Sequence, residues 1–364
     1  MALKLEKCSL EMHINSTACL INKDVRVNVT ESVVKIYGLN ENATLGKNDI
    51  FPKIGKSKLL ILENLVLNDG FPTIVHGSIS LKNITGVEIN KNLISYTSYH
   101  AGFEMFITES QFTGEHGFHA EGVFHCVATS INIQVYQSSF MNFRNLSTIF
   151  HLNSTTSIEL LFKNNEFTEN FPRWGIIDSY YSYGISYRRY NITFENNVVS
   201  ENEAFSYSLF DFASGKGNLN ILNNTFDSNV AYSIISVHKV FNNELEISVA
   251  NNRLLKNRCD YGMQLFGKTV HITNESFTNN VFLSCYSLNN ITLITNSKFE
   301  FTSISNRLQC PFVNIDNFEN LGDNDVQLFF INEKTKHFFI ERCDDKLIQN
   351  LKIKVQKCPL CPYV

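Results

Sequence analysis

Proline and tryptophan are scarce in this chain: six prolines and a single Trp in 364 residues. Nowhere does an apolar run reach the roughly eighteen residues of a membrane-spanning helix, so no transmembrane segment is predicted. Met1 to Cys19 lack a basic stretch followed by an apolar one, so no secretion signal is read there. Charge is sparse at 18%, net −4, with both signs scattered. With no basic stripe, nucleic acid is not an expected partner. The sequence also lacks a P-loop, a dinucleotide fingerprint, a G-x-S-x-G elbow and an H-E-x-x-H pair, and it points to no cofactor. What is present is a 43% hydrophobic composition with thirty phenylalanines and abundant asparagine, enough to bury a large core and too apolar for disorder.

Nine cysteines leave at least one thiol unpaired. Cys8 and Cys19 lie near one end and Cys310, Cys343, Cys358 and Cys361 near the other. Disulfides pinning the ends and buried reduced thiols fit this distribution equally. Ten N-x-S/T sequons, at Asn15, Asn28, Asn42, Asn83, Asn145, Asn153, Asn191, Asn223, Asn274 and Asn290, permit glycosylation in a secretory compartment.

One template recurs: apolar-x-apolar-x-Asn-Asn-x-apolar-x-x-Asn. It reads Leu160-x-Phe162-x-Asn164-Asn165-x-Phe167-x-x-Asn170, then returns at Ile192, Leu219 and Ile247 with the same asparagines, and more loosely at Val270 and Ile294. Taking the apolar residue after the Asn pair as an anchor gives Leu67, Ile94, Phe112, Phe140, Phe167, Val199, Phe226, Leu254, Phe277 and Phe299, spaced 18 to 32 residues apart. Five residues earlier stands an apolar residue each time, including Leu62, Ile89 and Ile107. The period-2 alternation predicts a strand with one buried face, and the Asn pair predicts a sharp turn, because Asn tolerates the left-handed region. One such strand cannot bury its face alone; parallel stacking of successive coils closes a shared core. Equivalent side chains Asn164, Asn196, Asn223, Asn251, Asn274 and Asn296 are then expected to form a hydrogen-bonded ladder. A second strand follows in most coils, directing Phe124, Phe150, Ile177, Phe210 and Ile235 inward and His125, His151, Asp178, Asp211 and Ser236 outward. Leucine-rich and helical repeats lack the required spacing here, and propeller repeats are longer.

The predicted fold is therefore all-β, a right-handed parallel β-helix of about ten coils with capped ends. Residues 1–58 read as an N-terminal cap and a degenerate first coil around Val34, Ile36 and Asn40/Asn42. Residues 59–306 form the regular solenoid, and 307–364 a C-terminal cap with a Cys-bearing tail. The abrupt Cys358-Pro359-Leu360-Cys361 end fits a chain that continues into a longer protein.

The Phe-x-x-Asn copies at Phe167/Asn170, Phe226/Asn229 and Phe277/Asn280 resemble the FxxN repeat of polymorphic outer membrane proteins, and are similar to the right-handed, pectin-lyase-like β-helix proteins of protists. That resemblance covers roughly residues 59–306, with Gly175-Ile176-Ile177 and Ser233-Ile234-Ile235 echoing the family's second strand. It implies a secreted or surface-displayed adhesion protein whose partner is a protein or glycan on a host or neighbouring cell.

Two sets of residues carry candidate chemistry. The outward row His125, His151, Asp178 and Asp211 would lie on adjacent coils, where a carbohydrate-active enzyme places acids and bases; a solvated polar face explains the same row. Trp174 with the insertion Tyr180, Tyr181, Tyr183, Tyr187, Arg188 and Arg189 suits ligand binding. His116, His119 and His125 with Glu115 and Glu121 match no defined zinc spacing, so no metal site is assigned. Non-catalytic binding or adhesion is the expected function, with polysaccharide hydrolysis or lysis along the His/Asp row as the alternative.

Overall fold

Alternating apolar residues in short segments, separated by turn-forming Asn, leave each segment with one face to bury and no long helix to bury it against. The computed structural model resolves this with a parallel β-solenoid. It describes residues 58–68, 74–89, 92–114, 122–144, 147–179, 188–204, 207–213, 215–238, 244–295 and 297–303. Shorter pieces are described at 2–4, 9–14, 26–28, 33–39, 43–45, 313–315, 320–321, 325–330 and 352–357. The described residues contain no helix. Two compact units divide the chain at Arg188 and Arg189.

In the first unit, Ser9–Ile14, Val33–Gly38, Leu59–Asn68, Ser78–Ile89, Phe103–Thr108, Phe124–Tyr136 and Thr148–Lys163 pair in parallel, each with the next. In the second, Arg189–Glu195, Lys216–Leu222, Glu244–Ala250, Arg258–Thr273 and Ser276–Thr295 do the same. The number of windings differs from the ten inferred from the anchors. Val33–Gly38, with Val34 and Ile36 fully buried, pairs in parallel with Leu59–Asn68. Asn40, Asn42 and the end cysteines other than Cys126 and Cys259 lie outside the described side chains.

Anchors Leu67, Phe112, Phe140 and Phe167 in the first unit, and Val199, Phe226, Leu254 and Phe277 in the second, are all completely buried. Phe112, Phe140 and Phe167 stack face to face, with centroids 5.3 and 5.0 Å apart, and Phe124 and Phe150 stack at 4.8 Å beside them. Phe140 meets Phe150 edge-on at 5.3 Å. Parallel offset rings within a column and edge-to-face rings between columns are the arrangements that the aromatic quadrupole favours.

Ile94 is a correction. It pairs with Phe124, so it belongs to the second-strand column. The true anchor between Leu67 and Phe112 is Gly86, which pairs with both. A Cβ at Gly86 would sit 2.7 Å from Cδ1 of both Ile89 and Phe112, so the Phe112 ring occupies the room an anchor side chain would take. Likewise Leu81, not Ile89, pairs with Leu62 and Ile107 five residues before the anchor. Apolar matching alone selects Ile94 because a glycine anchor has no side chain to recognise.

From Asn164 to Asn257 each coil has two turns that use the same device. A residue with φ near +55° is followed at once by a buried polar residue whose amide or hydroxyl bonds across coils. The pairs recur five residues apart: Asn164-Asn165 and Glu169-Asn170, Asn196-Asn197 and Glu201-Asn202, Asn223-Asn224 and Ser228-Asn229, Asn251-Asn252 and Lys256-Asn257. The left-handed residue bends the strand, which leaves the next backbone N–H without a backbone partner in the ladder.

A side-chain oxygen from the following coil accepts that N–H. In the second unit, Asn224 Oδ1 accepts from Asn197 N at 2.9 Å, Asn252 Oδ1 from Asn224 N at 2.9 Å, and Glu275 Oε1 from Asn252 N at 2.9 Å. The other turn carries a parallel ladder, in which Asn202 N, Asn229 N and Asn257 N donate to Asn229, Asn257 and Asn280 Oδ1 at 3.0, 3.0 and 2.8 Å. Each Nδ2 also donates back, as Asn229 does to Val199 O at 2.9 Å and Asn252 to Ile221 O at 2.9 Å. In the first unit the same tasks fall to Asn165, which accepts from Ser138 N at 3.0 Å, and to Ser138 and Ser110 above it.

The ladder expected at the first Asn of each pair also exists, on the exposed side of the turn: Asn251 Nδ2 donates to Asn223 Oδ1 and Asn274 Nδ2 to Asn251 Oδ1, each at 3.1 Å. Asn164 and Asn196 occupy the same left-handed position; Asn296 lies outside the described residues. The two buried columns, one residue later and at the Asn of Phe-x-x-Asn, were not singled out from sequence.

Glu201, at φ 55° and exposed, fills a left-handed position with a residue that strains there. Glu201→Asn is expected to raise unfolding stability by about 0.5–1 kcal/mol. A denaturant titration showing no shift would mean that this turn holds Glu without cost.

Candidate functional site

The second-strand column builds the His/Asp row. Phe124, Phe150 and Ile177 are buried and in register, as are Phe210 and Ile235, so alternation turns the residue after each away from the core, but Asp178 and Ser236, expected to be outward, are themselves covered, at 8% and 4% exposure. In the first unit this aligns Ser95, His125, His151 and Asp178 on successive windings. The His125 and His151 rings stack at 5.0 Å with an interplanar angle of 17°. His151 Nδ1 lies 3.3 Å from Asp178 Oδ2, and the two side chains are only 12% and 11% exposed. In the second unit Asp211 pairs with Ser236, and His238 Nε2 lies 2.7 Å from Asp211 Oδ1. Asp178 and Asp211 thus belong to different units, and each engages its own histidine.

Chemically, the Asp178 carboxylate lies at ion-pair distance from His151 Nδ1, but Nδ1 makes no hydrogen bond to a described residue, so the contact sets an imidazole beside a carboxylate without fixing the imidazole's tautomer. The same contact, with both groups mostly covered, also serves to hold a flat wall together.

Among the described residues no group of three or more His, Cys, Asp or Glu could hold a metal ion. Residues 115–121, which include His116, His119, Glu115 and Glu121, lie outside them. Cys126 and Cys259 are free and buried, and burial pushes both thiols well above their ordinary range, so neither is a ready nucleophile. No helix among the described residues is long and apolar enough to cross a membrane.

Of the aromatic insertion, Tyr180, Tyr181, Tyr183 and Tyr187 lie outside the described residues. Trp174 is half-buried, its amide donating to Ser147 O at 2.7 Å. Arg188 is completely buried in the first unit, and Arg189 is exposed in the second, in register with Lys216.

Sequence reasoning missed a different aromatic group, in the second unit. Tyr207 and Tyr232 are 47% and 40% exposed, and Tyr232 N donates to Tyr207 O at 3.1 Å, which puts them on adjacent windings. Tyr232 meets the Tyr261 ring on the next winding edge-on, centroids 5.4 Å apart. The signal was available as a tyrosine near the start of three successive second strands, but it crosses the template rather than following it.

No family model, no curated protein and no solved structure matches this chain.

Proposed function

We propose that the chain is a non-catalytic β-solenoid that displays an extended surface for binding or adhesion outside the cell, on a protein or glycan of a neighbouring or host cell. The observation that carries this reading is how far the His/Asp row is covered: His125 stacks on His151, and His151 lies against Asp178 with the two side chains only 12% and 11% exposed, which leaves little of that pair open to a substrate. Exposed sequon residues Asn191, Asn223 and Asn274 fit a secretory route. The FxxN resemblance points the same way.

The second reading, a polysaccharide hydrolase or lyase, is favoured by the 3.3 Å His151–Asp178 contact, which sets an imidazole beside a carboxylate on adjacent windings. One screen separates the two. Acidic and neutral polysaccharides are incubated with the chain and with a His151→Ala/Asp178→Ala variant, and reducing ends and unsaturated products are measured. The display reading predicts no cleavage by either protein. Cleavage by the parent that falls at least about a hundredfold in the variant would replace it with the enzymatic one.

A further inference from the structure

The tyrosines of the second unit lie beside a second outward column. Val230, 42% exposed, bridges to Glu203 on the preceding winding and pairs with Arg258 on the following one. Val230 and Tyr232 alternate outward on one strand with buried Ala231 between them. The face therefore carries Tyr207 and Tyr232 in one column, with Tyr261, which pairs with buried Ser233, packed edge-on against Tyr232, next to a column reading acid, valine, base.

Three features narrow the ligand. The large apolar groups presented are tyrosine rings, flat surfaces with a polar tip, rather than the leucine, methionine and phenylalanine of a protein-binding core. The charges around it are mixed, Glu203 and Asp260 with Arg258, so the face has no stripe of one sign with which to attract a polyanion or a polycation. Tyr232 is braced edge-on by Tyr261, so stacking a ligand on it costs little further side-chain freedom. A pyranose ring matches all three. Its C–H face packs on an aromatic ring, its hydroxyls both donate to a carboxylate and accept from a guanidinium, and the rung spacing of about 4.8 Å is comparable to the length of one sugar unit.

We infer that the exposed Tyr207–Tyr232 pair, braced by Tyr261 and rimmed by Glu203 and Arg258, is a binding platform for a neutral glycan chain running along the winding direction. This rests on the display reading and names the ligand class for it.

The test is calorimetric titration of the full chain with six-residue β-1,4-linked oligomers of glucose, xylose, mannose and N-acetylglucosamine. At least one is expected to bind saturably. Tyr207→Ala and Tyr232→Ala should each weaken it about tenfold or more, which corresponds to about 1.4 kcal/mol. Tyr232→Phe, which keeps the ring, should retain most of the affinity. NMR shift mapping on the unaltered chain should place the perturbed resonances at these tyrosines and gives the same answer if a variant misfolds. Failure of all four oligomers to bind overturns the proposal. So does a concentration-dependent dimer of the chain that the alanine variants abolish, since the face would then be a protein interface. Binding that persists undiminished in the double alanine variant sinks the platform but leaves the display reading standing. Cleavage of an oligomer at the His/Asp row would overturn both.

Discussion

Asn229→Leu is expected to lower the unfolding free energy by on the order of 4 kcal/mol, and to remove cooperative folding of the second unit if the starting stability is modest. Asn229 is completely buried, and all four of its side-chain bonds cross between coils. Its Oδ1 accepts from both Asn202 N and Asn202 Nδ2 at 3.0 Å, while its Nδ2 donates to Val199 O at 2.9 Å and to Asn257 Oδ1 at 2.9 Å. Leucine matches the volume but removes the acceptor that Asn229 offers to two N–H groups of buried Asn202 and the donor it offers to the Val199 carbonyl. Each such group costs about 1–3 kcal/mol.

The contrast is Asn251→Gly, in the exposed column. Glycine keeps the left-handed turn at φ 58°, and only two exposed bonds of 3.1 Å are lost, so a change of under about 1 kcal/mol is expected. Urea denaturation of both variants decides which column holds the windings together. Equal losses at Asn229 and Asn251 would refute the assignment of that role to the buried one.

Glu275 makes the inner ladder sensitive to pH. It takes the place an asparagine fills on the preceding coils and is 1% exposed. Its Oε1 accepts from Asn252 N and Nδ2 at 2.9 Å each, whereas Oε2 is buried with no hydrogen-bond partner among the described residues. Burial pushes the carboxyl up to about 8, and the two bonds from Asn252 only partly offset that.

A folded chain that keeps this proton while the unfolded chain releases it near the ordinary value of 4.5 loses stability as pH rises between those two points. The contribution is complete below about 4.5, falls through the interval, and levels off above about 8. Glu275→Gln carries the same oxygen to Asn252 and cannot ionise. It is expected to match the parent at pH 4.5 and to exceed it at pH 8.5 by on the order of a few kcal/mol. The check is the difference in denaturation midpoint between the two proteins across that range. A difference that does not grow with pH would show that the carboxylate is accommodated in its charged form.

Much of this architecture is legible from residues a few positions apart. Leu160-x-Phe162-x-Asn164-Asn165-x-Phe167 encodes strand, turn and strand by period-2 alternation and by the tolerance of Asn for positive φ, and both are local properties. The inward set Phe124, Phe150, Ile177, Phe210 and Ile235 follows from the same alternation and is buried as expected. Gly86 was not legible, because its place in the anchor column depends on the Phe112 ring from the next winding. The role of the second Asn was not legible either. Both members of Asn223-Asn224 have the same chemistry, and only the direction in which the turn closes sends one to solvent and the other inside.

Strands and turns are written in the sequence because each rests on neighbours within a dozen residues, and the parallel-coil fold class is written there because the same short pattern returns every 18 to 32 residues. Tertiary structure alone decided which residues become lateral neighbours: Ile94 beneath Phe124, His151 against Asp178, Tyr232 beside Tyr261. Winding lengths vary with turns and insertions that carry no apolar mark. A side chain's partner one coil away is set by hydrogen-bond register, and register is a property of the stack rather than of any single coil.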